Sequence, residues 1–529
     1  MNLIDKVVSV FSPEKALKRV GARKRLDIIN SGYSNYGASH TKKSLLGWLY
    51  HGGSANEDIH ENLSTLRQRS RDLYAGVPLA TSAIKTMRTN VVGTGLVLKS
   101  QIDYEYLGLT EEQAEQLEND IEREFALWAN SEACDIERFD NFGELQQLAF
   151  MNWLLSGDVI ALLPTTKRKG IPYDLRIRLI ESDRLCAPLG KEYDPNFVGG
   201  VETNSDGEVV AYHILNIHPL SYETNEDPEW VRVEAFGART GRRNVLHIMN
   251  RERIGQRRGV PFLAPVIESL KQLGRYTDAE LVAAVVSGMF AVFIEKSDNS
   301  GDGAAVGEII PENEQVSSAP NEIEIGNGSI IDLEEGEKAH DVSPGRPNAN
   351  FDGFVTAITR QIGAALEIPY ELLVKNFTAS YSASRGALLE AWKSFSTYRN
   401  WLAKDFCQPV YEEWLAEAVA KGRIKAPGFF SDLAIRKAYC GAEWNGPAQG
   451  LLNPVQEVQA AEYRVNNGFS TRAREAREMN GSDFYKNARQ RKREEALMKE
   501  VNGNAKSTVG NEQEADGQTN ESDKPEQEQ

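Results

Sequence analysis

Between Val266 and Val285 the apolar side chains keep to one helical stripe: Val266/Ile267, Leu270, Leu273, Thr277, Leu281 and Ala284/Val285. The stripe implies a rod of about 25 residues starting near Pro261, roughly 40 Å long, which is long for a globular helix. Its far end runs into an uncharged stretch, Leu281 to Ile294. That stretch is shorter than the roughly 20 apolar residues a bilayer crossing needs. At the N-terminus the apolar run Val7 to Phe11 is also too short for a signal-peptide core. The chain therefore reads as a soluble intracellular product, with no membrane partner, whose longest helix must find its cover in protein.

The pattern on either side of the rod is mixed. Thr110-Glu111-Glu112-Gln113 has the form of a capping box, and Leu117, Ile121, Phe125 and Trp128 follow at helical steps, predicting an amphipathic helix over 110–129. Residues 143–155 read as a second, apolar helix. From 157 to 250 the period shortens to alternating runs, such as Leu175 to Ile180 and Val209 to Leu215. Turn signals at Lys169-Gly170, Asp206-Gly207 and His218-Pro219 separate them, predicting a mainly antiparallel β region. Beyond the rod, strand-like pieces at 290–295 and 329–333 flank a Gly-, Asp- and Asn-rich loop. A low-charge helix at about 350–367 stops before Pro369. A small-residue loop, Thr378 to Ser384, then leads into a helix carrying Trp392, Phe395, Tyr398, Trp401, Phe406, Tyr411 and Trp414, with Pro409 placed to kink it and Gly422 to cap it. At helical spacing these aromatics are packing residues rather than a stacking platform.

Charge narrows the function. The chain has 60 basic and 77 acidic side chains among 529 residues, a net −17. A protein whose whole surface grips nucleic acid needs concentrated Lys and Arg instead. The distribution is uneven: residues 101–140 hold thirteen acids against two arginines, whereas residues 1–30 hold seven basic and three acidic groups and residues 486–501 six and three. Residues 502–529 hold seven acids and two bases, and nothing after Tyr485 is aromatic. Segments 1–60 and 486–529 are accordingly expected to be a basic arm and a disordered charged tail.

Chemistry does not announce itself. Cys134, Cys186, Cys407 and Cys440 are widely spaced, forming neither a disulfide framework nor a zinc pattern. Val91 to Leu98 opens like a dinucleotide loop, but Leu98 stands where the third glycine belongs, and no G-x-x-x-x-G-K-[ST], H-E-x-x-H or G-x-S-x-G string occurs. His60-Glu61 lacks a second histidine at the zincin spacing. His213 and His218 have no cysteine or carboxylate partner at ligand spacing. No catalytic, cofactor or metal residues are expected.

Several strings, in consistent order over residues 65–480, resemble the lambda-type portal proteins of tailed bacteriophages. They include Arg71-Asp72-Leu73, Val77-Pro78-Leu79-Ala80, Val91 to Gly95, Asp135 with Asn141 to Gln146, Ser156-Gly157-Asp158-Val159, and Ile180 to Leu185. The longest is Gly255-Gln256-Arg257-Arg258-Gly259-Val260-Pro261-Phe262, continuing to Ile267 and followed by Tyr276 to Leu281. Ile368 to Leu373, Tyr381 to Arg385, Trp444-Asn445-Gly446-Pro447 and Asn453-Pro454 complete the set. Asn376 departs from the pattern, since the family more often places an acid after that lysine.

The resemblance implies an α+β portal fold with an α/β wing, a two-helix stem, a small α/β clip, a channel loop and a helical crown. On this sequence it implies wing at 61–260 (β-rich from 157), stem helices at 261–289 and 349–367, clip at 290–348, channel (tunnel) loop at 368–385, and wing and crown helices at 386–485. It further implies a head-to-tail ring of about twelve copies at one capsid vertex, which double-stranded DNA enters during packaging and leaves at infection. The implied partners are the major capsid protein, the terminase large subunit, head-completion or tail connector proteins, and the DNA in the channel. Lys375, Phe377, Thr378 and Tyr381 are the side chains expected to face DNA, and Arg257 and Arg258 those expected at the subunit interface. The uncharged 281–294 stretch would lie between neighbouring stems or at the clip. Acidity suits a conduit, because a wall of phosphate-binding cations would brake a sliding duplex. The rival classes are a DNA-processing enzyme such as a nuclease, and another non-enzymatic virion adaptor or minor capsid protein.

Overall fold

The computed structural model describes residues 12–15, 18–22, 42–45, 52–191, 194–222, 227–289, 293–296, 337–340, 350–377, 380–449 and 453–508. The chain divides into two compact units, Met1–Asp58 and Ile59–Gln529. In the first, residues 13–15 and 18–22 are helical, and Lys18 pairs with Glu14 at 3.1 Å.

In chain order the helices are α1 (Ala55–Gly76), α2 (Pro78–Val91), α3 (Tyr104–Leu107), α4 (Glu111–Ala129), α5 (Phe142–Ser156), α6 (Ile267–Met289), α7 (Phe351–Ala365), α8 (Tyr370–Val374), α9 (Tyr381–Leu402), α10 (Gln408–Ala420), α11 (Leu433–Tyr439), α12 (Pro454–Asn466), α13 (Arg472–Asn480) and α14 (Phe484–Thr508). The strands are β1 (Val97–Ser100), β2 (Asp158–Leu162), β3 (Arg178–Ile180), β4 (Phe197–Val198), β5 (Val201–Thr203), β6 (Val209–Leu215), β7 (Trp230–Glu234), β8 (Val245–Met249), β9 (Phe293–Lys296), β10 (Glu337–His340) and β11 (Ala442–Asn445).

The 110–129 helix forms with its capping box complete: the Thr110 side chain accepts from the Gln113 amide, and the Gln113 side chain accepts from the Thr110 amide. Its inner stripe of Ile121, Phe125 and Trp128 is buried. The region from 157 to 250 is antiparallel throughout its strand pairs, in a three-stranded sheet ordered β3-β2-β8 and a four-stranded sheet ordered β4-β5-β6-β7. A small core of Ile160, Ile180, Leu185, Val201, Tyr212 and Ile214 lies between them. Among the described residues a second, larger core is built chiefly from α2, α4, α5, α9 and α10.

The aromatic helix is packing material: Phe395, Phe406, Tyr411 and Trp414 are fully buried, and Phe125 meets Trp414 edge-on at 5.0 Å. A π-helical turn, Ala403–Cys407, joins α9 to α10, and Pro409, which has no amide hydrogen to donate, is the second residue of α10. Gly422, at φ 71°, closes the end.

The dinucleotide-like string is a corner. Gly93 and Gly95 have φ of 59° and 121°, and a Cβ on Gly95 would come within 2.6 Å of the Gly143 Cα. A Cβ on Gly93 would come within 2.4 Å of Pro447, which holds the Trp444 to Pro447 string in place as β1 pairs with β11.

The expectation for the C-terminus changes. Residues 484–508 are helical, where a disordered tail from 486 was expected. Helix formers dominate the segment, Arg491 pairs with Glu495 one turn on at 2.8 Å, and the first turns rest against α4. The remainder of the tail, 509–529, lies outside the described residues.

Candidate functional site

The two long helices after the β region pack against each other through aromatic side chains. Tyr276 of α6 stacks on Phe351 of α7 at 5.6 Å and meets Phe354 edge-on at 5.0 Å. Between them the chain forms an antiparallel ribbon, β9 with β10, in which Phe293 is opposite His340 and Lys296 opposite Glu337. The first strand-like piece, 290–295, overlaps β9, while 329–333 lies outside the described residues. On α6 the apolar stripe divides: Leu270 and Leu273 are buried, whereas Leu281, Val282 and Val285 are 67, 61 and 52% exposed. Among the described residues nothing covers these three branched apolar side chains.

After α7 the chain doubles back. Gly363 permits it, since a Cβ there would come within 2.5 Å of the Ile368 carbonyl, and the Ile368 amide donates to the Gly363 carbonyl at 2.9 Å. Glu367 takes φ 55°, a left-handed conformation seldom adopted by residues with a Cβ, and its carboxylate accepts from the Ser394 hydroxyl at 2.8 Å. Leu366, Ile368 and Leu373 are buried, and the Ser82 hydroxyl donates to the Leu373 carbonyl at 2.7 Å. The base of the turn is thereby fixed to α2 and α9. Its tip is not: Lys375, at φ 55°, Asn376 and Phe377 are exposed. Of the four residues expected on this loop, Lys375 and Phe377 stand at the tip. Thr378 lies outside the described residues, as does the Tyr381 side chain, although Tyr381 itself begins α9. A cleft of about 1190 Å³ lies beside the turn, walled by Gly363 to Tyr370, the 256–265 segment and α9.

The anchor of α6 lies in a buried ionic knot. Asp158, the first residue of β2, has no exposed side-chain surface. It accepts from Arg67 of α1 at 2.8 Å, from Arg258 at 2.7 Å, from the Gly259 amide at 3.0 Å and stands 3.2 Å from His247 of β8. Burial alone would push its carboxyl up, but the Arg258 and Arg67 guanidinium groups and the His247 hydrogen bond outweigh that and hold it well below the usual carboxylate range. Arg258 also donates to the carbonyls of Ser182, Leu185 and Gly199, so one side chain joins β2, the 182–185 turn and the β4–β5 turn. Close approach makes this fit: a Cβ on Gly259 would lie 1.9 Å from the Gly157 carbonyl oxygen, and Gly157 takes φ 89°. Beside the knot, Arg71 bonds Asp183 and lies 3.3 Å from Glu181.

This geometry corrects the expectation for Arg258. With 2% of its surface exposed and its guanidinium committed within its own chain, it cannot meet a neighbouring subunit. Arg257 is half-buried and donates to the Gly207 carbonyl, and both arginines precede α6 by more than two turns rather than capping it. Sequence reasoning missed Asp158, Arg67 and His247. The signal was the pair of strings Gly157-Asp158 and Arg258-Gly259, each setting an opposite charge beside a glycine.

The histidines separate. His213 lies 2.7 Å from Glu202, whose carboxyl is brought down to about 2 chiefly by hydrogen bonds from Arg232, with His213 contributing. Glu181, Asp183 and His218 offer ligand atoms within 4.8 Å of one another, but the Arg71 guanidinium already supplies the positive charge there. No helix among the described residues is long and apolar enough to cross a membrane.

The family model described as phage portal protein, lambda family, matches residues 41–399. The chain is 23% identical over 485 residues to portal protein B of Escherichia phage lambda, covering 87% of this chain and 89% of that protein. It is 24% identical over 470 residues to the portal protein of Escherichia phage N15, covering 85% and 87%. Among solved structures it is similar to a chain of the virion of the native gene transfer agent particle, with TM-score 0.41 and 14% identity over 78% of this chain and 91% of that one.

Proposed function

The chain belongs to the lambda family of phage portal proteins, and we infer that its copies close head to tail into a ring at one capsid vertex, through which double-stranded DNA is packaged and ejected. The observation that carries this reading is the α6–ribbon–α7 unit followed by a turn with a buried base and an exposed tip. In it, α6 and α7 are the stem, the 290–348 insert is the clip, and the 368–385 turn is the channel loop with Lys375 and Phe377 toward DNA. The exposed Leu281, Val282 and Val285 face the neighbouring stem, as a closed heterologous ring gives every subunit two different buried patches. Residues 61–260 form the wing and 386–485 complete wing and crown.

The role is structural. Conduction demands little adhesion, and a chain with 77 acids against 60 basic groups offers phosphates few sites to hold. The terminase large subunit supplies the motor from outside, the major capsid protein surrounds the ring, and head-completion or tail connector proteins follow when packaging ends. Native mass measurement tests the ring: twelve copies of the 58.9 kDa chain give about 0.7 MDa. A stable monomer that turns over ATP or cleaves added DNA would overturn the reading. Deleting 375–383 should leave the ring intact and impair DNA packaging or retention, and loss of the ring itself would show the loop assignment to be wrong.

A further inference from the structure

The start of α14 differs in charge from the chain it ends. Lys486, Arg489, Arg491, Lys492 and Arg493 fall within eight consecutive residues that contain no acid, and all five are exposed. Two of them rest on the acidic helix α4: Arg489 bonds Glu115, and Lys486 lies 3.8 Å from Glu122. Lys99 fastens the root, 3.0 Å from Glu122 and 3.4 Å from Asp483. Arg491 pairs with Glu495, and Lys492 and Arg493 have no ion-pair partner among the described residues.

We propose that the Lys486–Arg493 segment is a docking site for the phosphate backbone of double-stranded DNA. The argument begins with charge density. Seven helical steps span about 10 Å, and a duplex carries one phosphate per roughly 1.7 Å of axis, so the segment is as long as about six phosphates; Lys486, Arg489, Lys492 and Arg493 share one side of the helix, and Arg491 lies on the other. The segment also lacks what a protein partner would grip: Ala488 is its single apolar side chain, and it has no aromatic anchor. The pairs that hold Lys486 and Arg489 to α4 are largely solvent-exposed on the α14 side, and pairs of that kind contribute little, so phosphates displace Glu115 and Glu122 at small cost. The site goes beyond the conduit reading and does not rest on it: the passage lets DNA slide, while this helix holds it.

The test is anisotropy titration of a fluorescent duplex of arbitrary sequence with the full-length protein and its R491Q/K492Q/R493Q variant, from about 50 to about 200 mM salt. Each neutralised phosphate contributes about 0.9 to the slope of log K against log salt, so the variant, through Lys492 and Arg493, should lose about 1.8 per engaged subunit and bind at least about tenfold more weakly. Glu115→Gln, which frees Arg489, should tighten binding. An unchanged slope in the triple variant overturns the proposal, and so does polyglutamate displacing the duplex as well as unlabelled DNA does, because the occupant would then be an acidic polypeptide. Glutamine keeps the helix, which circular dichroism verifies. Native mass on the same samples separates the two readings, since a ring without α14-dependent binding removes this proposal alone, and a monomer with it removes only the ring.

Discussion

Asp158→Asn should be among the most damaging isosteric changes in the β region. The substitution keeps shape and removes the charge that two buried guanidinium groups share, leaving Arg67 and Arg258, with side chains 5% and 2% exposed, as neighbouring uncompensated cations. Breaking a buried pair from one side costs about 3–5 kcal/mol. The low end applies here, because Arg67 retains the Ser156 and Ser182 carbonyls and Arg258 retains those of Ser182, Leu185 and Gly199. About 3 kcal/mol is roughly a 150-fold change in an opening equilibrium. A chain of several cooperative regions has no single unfolding free energy, so the assay should be local. Hydrogen exchange at the Gly259 amide, which donates to Asp158, reads the opening directly. The expected result is exchange about two orders of magnitude faster there than in the parent, spreading to β2 and the 250–260 segment. Exchange within threefold of the parent would refute the claim that the knot anchors this segment.

Other outcomes follow from single contacts. Gly259→Ala would drive a Cβ into the Gly157 backbone and should cost about 3 kcal/mol, read as a lowered melting temperature. Leu281→Glu, on a side chain 67% exposed, should change the subunit's thermal stability by no more than about 0.5 kcal/mol yet abolish the ring in native mass, and an intact ring would remove the stem–stem contact from the proposal. Glu202 has its carboxyl lowered from 4.5 to about 2, so its pairing with Arg232 stabilises the fold above about pH 4.5 and is lost as pH falls toward 2. Glu202→Gln should flatten that part of the pH–melting curve, and an unaltered curve would show that the pair contributes nothing.

Local signals carried much of the fold. The 110–129 helix, the antiparallel character of 157–250, the long helix after Pro261 and the aromatic core of α9 and α10 all follow from periodicity and capping residues visible within windows of about twenty residues. Long-range pairing is what the windows could not hold. Gly157 and Gly259, or Gly93 and Pro447, look like isolated turn residues until the backbone brings them into contact. Arg258 suffered most: a charged residue in a Gly-Pro-rich string reads as surface, and only its five hydrogen bonds to four residues of the folded chain show it to be interior. The tail misled for the opposite reason. Its lack of aromatic side chains argued against a packed core but not against a helix sustained by i,i+4 pairs and a neighbouring acidic face.

The π-helical turn at Ala403–Cys407 has a consequence for how this segment tolerates change in length. Such a bulge holds one residue more than an α-helix would use over the same rise. Excising one residue there would restore regular winding and swing everything downstream by about 100°. Glu412 and Ala416, now half-buried, would be forced into the fully buried slots of Tyr411 and Leu415, and the buried Ala418 would turn out into the half-buried slot of Glu417. The surplus residue therefore acts as a phase shifter, setting the oily side of α10 in register with the interior that α9 also faces.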